Sequence, residues 1–179
     1  MVRILVSGDP AVNAMKAGFL NRLKPIAENI QKKYGIAPII TYTQAALESG
    51  WGNKIPRNKI QVGNYDLGVV SNNLYGVKAG EKWDAETNPY VWDYTQEYTK
   101  HGWRSEMHKF RVYTNWTESV ENWAKMISTS PNYKRSYQYA KQGNVDLYAV
   151  QIYKDHYATN PDYTKRVLDV AASVRGTKF

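Results

Sequence analysis

Gln44-Ala45-Ala46-Leu47-Glu48-Ser49-Gly50-Trp51-Gly52 is the stretch on which the reading of this chain turns. The corner Ser49-Gly50-Trp51-Gly52 closes an apolar segment abruptly, and Gly50 is a natural C-terminal stop for a helix. Working backwards, Pro38 opens that helix, because a proline at the first helical position gives up only a donor that is already orphaned. Ile39, Tyr42, Thr43 and Ala46 form its expected buried stripe. Glu48 then lies in the last turn, where the negative end of the helix dipole disfavours a carboxylate. Leu47 and Trp51 beside it add desolvation, which pushes the same way, toward a raised pKa. A carboxylic acid still protonated near neutral pH suits the donation of a proton to a leaving oxygen.

Upstream, Met15, Phe19, Leu20 and Leu23 make one helical stripe, and Ile26, Ala27, Ile30 and Tyr34 make a second. Pro25 between them implies two helices or one kinked helix, and Gly35 ends the segment. Downstream the periodicity is lost from about Asn53 to Gly80, an irregular connection of the length that usually carries function. Within it, Asn72-Asn73-Leu74-Tyr75-Gly76-Val77-Lys78 combines packing residues with a glycine suited to an unusual backbone angle. Tyr90-Val91-Trp92-Asp93-Tyr94 and the segment around Glu97-Tyr98-Thr99 are rich in aromatic and β-branched residues. Lys100-His101-Gly102 reads as a turn, and Trp103 to Tyr113 as a returning strand.

The last third returns to helix. Thr117 is the expected cap of a segment in which Val120, Trp123, Ala124 and Ile127 are spaced for one face, with Glu118 and Glu121 near its positive end. Tyr133 to Lys141 reads as a short helix. Asn144 caps another, carrying Leu147, Val150 and Ile152. After the break Tyr157-Ala158-Thr159-Asn160-Pro161, a final helix shows Tyr163, Val167, Val170, Ala171 and Val174. There are no internal repeats. The expected class is α+β, mainly α. A helical lobe (about 10–52 and 115–176) and a connection with a small antiparallel β-lobe of two or three strands (about 53–114) make a single domain over 1–179.

A chain of 179 residues is long enough to bury a substantial core. Its net charge of +8 implies affinity for polyanions, with nucleic acid, anionic membrane and bacterial wall all qualifying. The basic residues are scattered rather than gathered in a run, which argues against nucleic acid. Fifteen tyrosines and six tryptophans are a heavier hint, since flat faces with polar tips suit pyranose rings. The absence of cysteine excludes disulfides and thiol chemistry. His101, His108 and His156 are dispersed and show no metal-ligand spacing, so neither metal nor other cofactor is expected. No stretch approaches a membrane span, so no integral membrane contact is expected, and the first residues are too short an apolar run for a secretory signal.

Four motifs, QAALESGWG (44–52), NNLYGVK (72–78), KFRVYTNWTESVENW (109–123) and YATNPDY (157–163), follow one another in the order seen in bacterial β-N-acetylglucosaminidases of glycoside hydrolase family 73, and the chain resembles that family from Phe19 to Val174. The resemblance implies a lysozyme-like α-lobe facing a β-hairpin lobe across a groove for a glycan strand, with Glu48 as general acid. It also implies a second carboxylate in Thr95-Gln96-Glu97-Tyr98, for which Glu97 is the candidate. The spacing from Glu48 to Glu97 is longer than in compact members, through extra residues between Asn53 and Ser71, and Glu81, Glu86, Asp93 and Glu106 compete for the same role. Tyr157 matches the family tyrosine beside the acid, where its hydroxyl can orient Glu48 or a substrate acetamido group. Asn73 matches a family asparagine at the groove wall, counted with the substrate-binding set but mainly a loop-fixing residue, and Trp51 is read as packing behind Glu48. Trp92, Tyr94 and Trp103 are candidates for stacking on sugar rings.

The expected activity is hydrolysis of the β-1,4 bond between N-acetylglucosamine and N-acetylmuramic acid in peptidoglycan. A general base on water, with carboxyls about 6.5–9.5 Å apart, or attack by the substrate's own acetamido oxygen are both open for the second half of the reaction. A muramidase or lytic transglycosylase, or a non-catalytic wall-binding module, are the competing readings. The expected partner is the peptidoglycan glycan strand, met by a monomer outside the cytoplasm. Delivery as a phage lysin, as cargo of a secretion apparatus, or within a longer exported protein are alternatives the residues do not rank.

Overall fold

The computed structural model describes residues 9–59, 68–83 and 88–179. The first helix, α1 (Pro10–Tyr34), starts where Asp9 caps it, its side chain accepting from the Ala11 N–H at 2.9 Å, with Pro10 in the first turn. It ends at Gly35, whose φ of 75° lets its N–H reach back to the Gln31 carbonyl. Pro25 lies inside this one helix and is exposed, so the carbonyl it leaves unpaired faces solvent rather than core. Phe19, Leu20, Leu23, Ala27 and Ile30 form its buried stripe.

The second helix, α2 (Pro38–Ser49), is buried on nearly every side: Ile40, Thr41, Tyr42, Thr43, Gln44, Ala45, Ala46 and Ser49 are all enclosed. A helix with no solvent face has to be central. Here α2 packs between α1 and the last helix, α6 (Tyr163–Gly176). Ile39, expected to lead its stripe, is only half-buried, because a helix surrounded on all sides has no single inward face.

The β-lobe is a hairpin of β1 (Tyr90–Thr99) and β2 (Gly102–Arg111), an antiparallel pair among the described residues. Register runs from Tyr90 opposite Arg111 to Thr99 opposite Gly102, with Lys100-His101 as the connection and Gly102 at φ 92°. Val91 and Phe110 are the buried residues of these strands. The hairpin base is stitched to the preceding connection, where the Lys59 N–H donates to the Trp92 carbonyl and the Arg111 N–H to the Val77 carbonyl.

The remaining helices are α3 (Trp116–Thr129), α4 (Lys134–Gln142, preceded by a short 3-10 turn, Pro131–Tyr133) and α5 (Val145–Lys154). The cap of α3 is Asn115, not Thr117: its Oδ1 accepts from the Glu118 N–H at 2.9 Å, while Glu118 Oε2 accepts from the Thr114 N–H at 2.7 Å. Helix α5 is capped by Asn144 as expected, but it turns a different face inward. Val145, Tyr148, Ala149 and Ile152 are buried, whereas Leu147 and Val150 are exposed. The physical reason is Tyr148, whose hydroxyl finds a buried partner and so draws its own face into the core. One hydrophobic cluster runs through α1, α2, α3, α4, α5 and α6 and takes in Leu74 and Tyr75. This is the mainly helical, lysozyme-like architecture with a small antiparallel hairpin. Among the described residues no helix is long and apolar enough to cross a membrane.

Candidate active site

Between the helical lobe and the hairpin lies a cavity of about 530 Å³. Much of its lining comes from five stretches: Glu48 at the end of α2, Tyr75 to Lys78 from the connection, Asp93 to Glu97 on β1, His156 to Asn160 before α6, and Tyr163 with Arg166 on α6. The structure thus brings Glu48, Glu97 and Tyr157 to one groove.

Glu48 is placed by a local device. Ser49 donates its hydroxyl to the Ala45 carbonyl at 2.6 Å and accepts from the Gly52 N–H at 2.9 Å, so it closes α2 and starts the turn at once. The chain then passes through three consecutive left-handed residues, Gly50 (φ 54°), Trp51 (φ 58°) and Gly52 (φ 84°). For tryptophan that conformation costs on the order of 1–2 kcal/mol. It is held by the bond from the Trp51 N–H to the Ala46 carbonyl at 2.9 Å and by edge contact of its ring with Phe19. At Gly52 a Cβ would come within 3.1 Å of the Phe19 ring. Trp51 therefore packs toward α1 and does not line the groove with Glu48.

What surrounds the Glu48 carboxyl is a set of tyrosines. Burial raises its pKa to about 7. That rise is what remains after three opposing influences: a hydrogen bond donated by the Tyr163 hydroxyl at 2.5 Å, the positive charge of Arg166, and Gln44 one turn earlier on α2. At neutral pH the group is divided between its two forms, as a proton donor in this range requires. The hydroxyls of Tyr75, Tyr148, Tyr157 and Tyr163 are pushed well above the usual tyrosine value, first by burial, and all except Tyr163 carry no bond to the acid itself. All four stay protonated donors.

Tyr163, not Tyr157, hydrogen-bonds the acid. It is the first residue of α6, and its position is set by Asn160, whose carbonyl accepts from the Tyr163 N–H at 3.0 Å and whose Oδ1 accepts from the Asp162 N–H at 2.9 Å. Tyr157 lies between the rings of Tyr133 and Tyr163, at 5.8 and 6.2 Å, and its hydroxyl has no hydrogen-bond partner among the described residues. It is turned into the groove by the loop at His156, which takes a φ of 61°.

Glu97 accepts from the Lys78 ammonium at 2.5 Å. Of its competitors, Asp93 also lines the groove, but its oxygens accept the N–H groups of Arg57 (2.9 Å) and Tyr94 (2.7 Å). Glu106 is paired with His108 at 2.9 Å, Glu81 is exposed away from the cavity, and Glu86 lies outside the described residues. Asn73 is fully buried, donating to the carbonyls of Val77 and Arg111 and accepting the Val77 N–H. It does not line the groove; its work is to fix the loop that carries Lys78. Trp92, Tyr94 and Trp103 share the hairpin face opposite Glu97, since Tyr98 pairs with Trp103 and side chains alternate along each strand. Tyr94 and Trp103, both largely exposed, still contribute to the cavity lining, whereas Trp92 does not and packs against Tyr90 instead. Among the described residues no group of three or more metal-binding side chains comes together.

Sequence reasoning missed Gln44, Tyr148, Tyr163 and Arg166. Gln44 carried a usable signal, since a residue four before Glu48 on a helix shares its face. Tyr148 and Tyr163 carried none, because a tyrosine in an apolar stripe reads the same whether or not its hydroxyl is used.

With this geometry in view, the chain is similar to several peptidoglycan hydrolases. It is 30% identical to the peptidoglycan hydrolase FlgJ of Vibrio parahaemolyticus over 96% of this chain and 54% of that one. It is 32% identical to the exo-glucosaminidase LytG of Bacillus subtilis over 83% and 48% respectively. The chain thus spans about half the length of these relatives. Among solved structures it resembles a peptidoglycan hydrolase mutant from Sphingomonas sp. A1, with a TM-score of 0.75 and 27% identity over 89% of this chain and 96% of that one. It also resembles the truncated glycoside hydrolase domain of Salmonella typhimurium FlgJ, with a TM-score of 0.67 and 27% identity over 91% and 99%. Residues 24–175 match the glucosaminidase family, described as mannosyl-glycoprotein endo-beta-N-acetylglucosaminidase, and the chain belongs to that family.

Proposed function

We propose that this protein is an endo-β-N-acetylglucosaminidase that cleaves peptidoglycan at the β-1,4 bond between N-acetylglucosamine and N-acetylmuramic acid. The observation that carries the reading is a groove lined by a carboxyl poised near neutrality, Glu48, together with a second carboxylate, Glu97. Glu48 donates its proton to the glycosidic oxygen as the bond to the anomeric carbon breaks. Tyr157 offers an unengaged hydroxyl to the acetamido group, and Tyr94 and Trp103 offer ring faces to flanking sugars.

Glu97 serves the second half of the reaction. As a general base it would remove a proton from water attacking the opposite face; if the acetamido oxygen attacks instead, its charge steadies the developing cation. Lys78 holds Glu97 at the groove in either case. The net charge of +8 draws the protein, as a monomer, to the anionic wall outside the cytoplasm.

The test is to digest purified peptidoglycan and identify the new chain ends by mass spectrometry. Reducing N-acetylglucosamine ends are expected. Reducing muramic ends would make it a muramidase, anhydro ends a transglycosylase, and no digestion a binding module.

A further inference from the structure

The acid does not stand alone on its tyrosine. Behind it runs a directional chain of hydrogen bonds through the core: the Tyr148 hydroxyl donates to Gln44 Oε1, Gln44 Nε2 donates to the Tyr163 hydroxyl at 2.8 Å, and the Tyr163 hydroxyl donates to Glu48 Oε1 at 2.5 Å. Gln44 is 1% exposed and Tyr148 likewise, so neither is exchanging with bulk water.

Each link constrains the next by valence. Tyr148 has one proton, and giving it to an amide oxygen fixes which end of the Gln44 side chain faces which tyrosine. The amide N–H then occupies a lone pair of the Tyr163 oxygen, and the single proton of Tyr163 must point at Glu48. A carboxyl that accepts at Oε1 holds its own proton on Oε2. We infer that Gln44 and Tyr148 are positioning residues that fix the proton of Glu48 on Oε2, the oxygen that delivers it to the leaving group. This inference rests on the reading of Glu48 as the acid.

An alternative chain of opposite sense shows why the distal members matter. Were the Gln44 amide turned over, its oxygen would face Tyr163, which would donate there, and Glu48 would lose its donor. Tyr148 works against that arrangement, because its buried hydroxyl would then accept from the amide N–H and its own proton would lose the Gln44 oxygen that takes it. A glutamine is the right residue for the middle position, having one strong donor end and one acceptor end on a neutral group that tolerates burial when both are used. The ionisable and charged groups facing Glu48 are Tyr163 and Arg166 from α6, Tyr148 from α5, Tyr157 from the loop before α6, and Tyr75 from the connection. Of these, Tyr163 holds the acid and Tyr148 reaches it through Gln44.

The experiment uses the full chain, with Tyr148→Phe and Gln44→Met each compared with the parent. The carboxyl titration of Glu48 is followed by carbon NMR, its signal identified by loss in Glu48→Gln, and kcat and KM are measured on peptidoglycan. Both variants should raise the Glu48 midpoint, since the donor that favours the ionised form is loosened, and lower kcat on the order of tenfold with KM little changed. Tyr148→Phe keeps the ring and its packing, so it decides the matter even where Gln44→Met fails to fold. An unchanged titration in folded Tyr148→Phe, with or without a fall in kcat, overturns the inference. Should the parent show no turnover, the proposed function fails by its own test, and the titration still decides the relay.

Discussion

The two carboxylates at the groove are set in contrasting parts of the molecule. Glu48 ends a helix enclosed on nearly all sides, tied by its neighbour Ser49 to the turn that follows and by Tyr163 to a helix 115 residues away. Glu97 sits on a ten-residue strand whose hairpin buries Val91 and Phe110 near its base, and it pairs with the half-exposed Lys78. Both are half-buried, but Glu48 sits among tyrosines where desolvation raises its pKa, whereas Glu97 is paired with a partly exposed lysine. That contrast is what the proposed division of roles between two groove carboxyls rests on.

The largest expected effect is at Glu48. Glu48→Gln should lower the rate of peptidoglycan digestion by 100-fold or more, a typical share for general-acid catalysis, measured by release of reducing ends. Stability should move the other way. A carboxyl whose folded-state pKa is raised contributes stability that is present below the ordinary glutamate value and lost as pH rises through 7. Glu48→Gln should therefore unfold at a higher temperature than the parent at pH 8 and show no such gain at pH 4, which thermal melts at the two pH values will read.

Next in size is the hairpin carboxylate. Glu97→Gln should cost on the order of 100-fold if Glu97 activates water, while a near-native rate would assign that step to the acetamido oxygen. A third change sharpens the electrostatic half of the comparison. Tyr163→Phe removes a donor that favours ionised Glu48, so the alkaline limb of the pH–rate profile should move to higher pH. The smallest effect is expected at Lys78→Ala: its pair with Glu97 is partly exposed and worth at most about 1 kcal/mol, so the melting temperature should change little.

Legibility in the sequence follows the same division. Local devices could be read directly: Pro38 and Gly50 bounding α2, Asn144 capping α5, and the turn at Lys100-His101-Gly102 each depend on a few neighbouring residues. The four motifs carried the family and with it the groove. What could not be read was the bonding around Glu48, because Glu48 and Tyr163 lie 115 residues apart, Gln44 and Tyr163 119, and Gln44 and Tyr148 104. The inward turn of α5 was hidden for the same reason, since Tyr148 is buried by virtue of a bond across the core. The position of the aromatic residues was more accessible than it looked. Trp92 and Tyr94 differ from Glu97 by odd numbers, so an unbroken strand sends them to the other face. Part of the expected lobe over about 53–114, residues 60–67 and 84–87, lies outside the described residues.

The proposed role of this groove stands most directly on the protonation of Glu48. The carbon NMR titration of its carboxyl in the ligand-free protein should give a midpoint near 7. A midpoint near the ordinary glutamate value of about 4.3 would contradict it, leaving the groove without a proton donor at neutral pH.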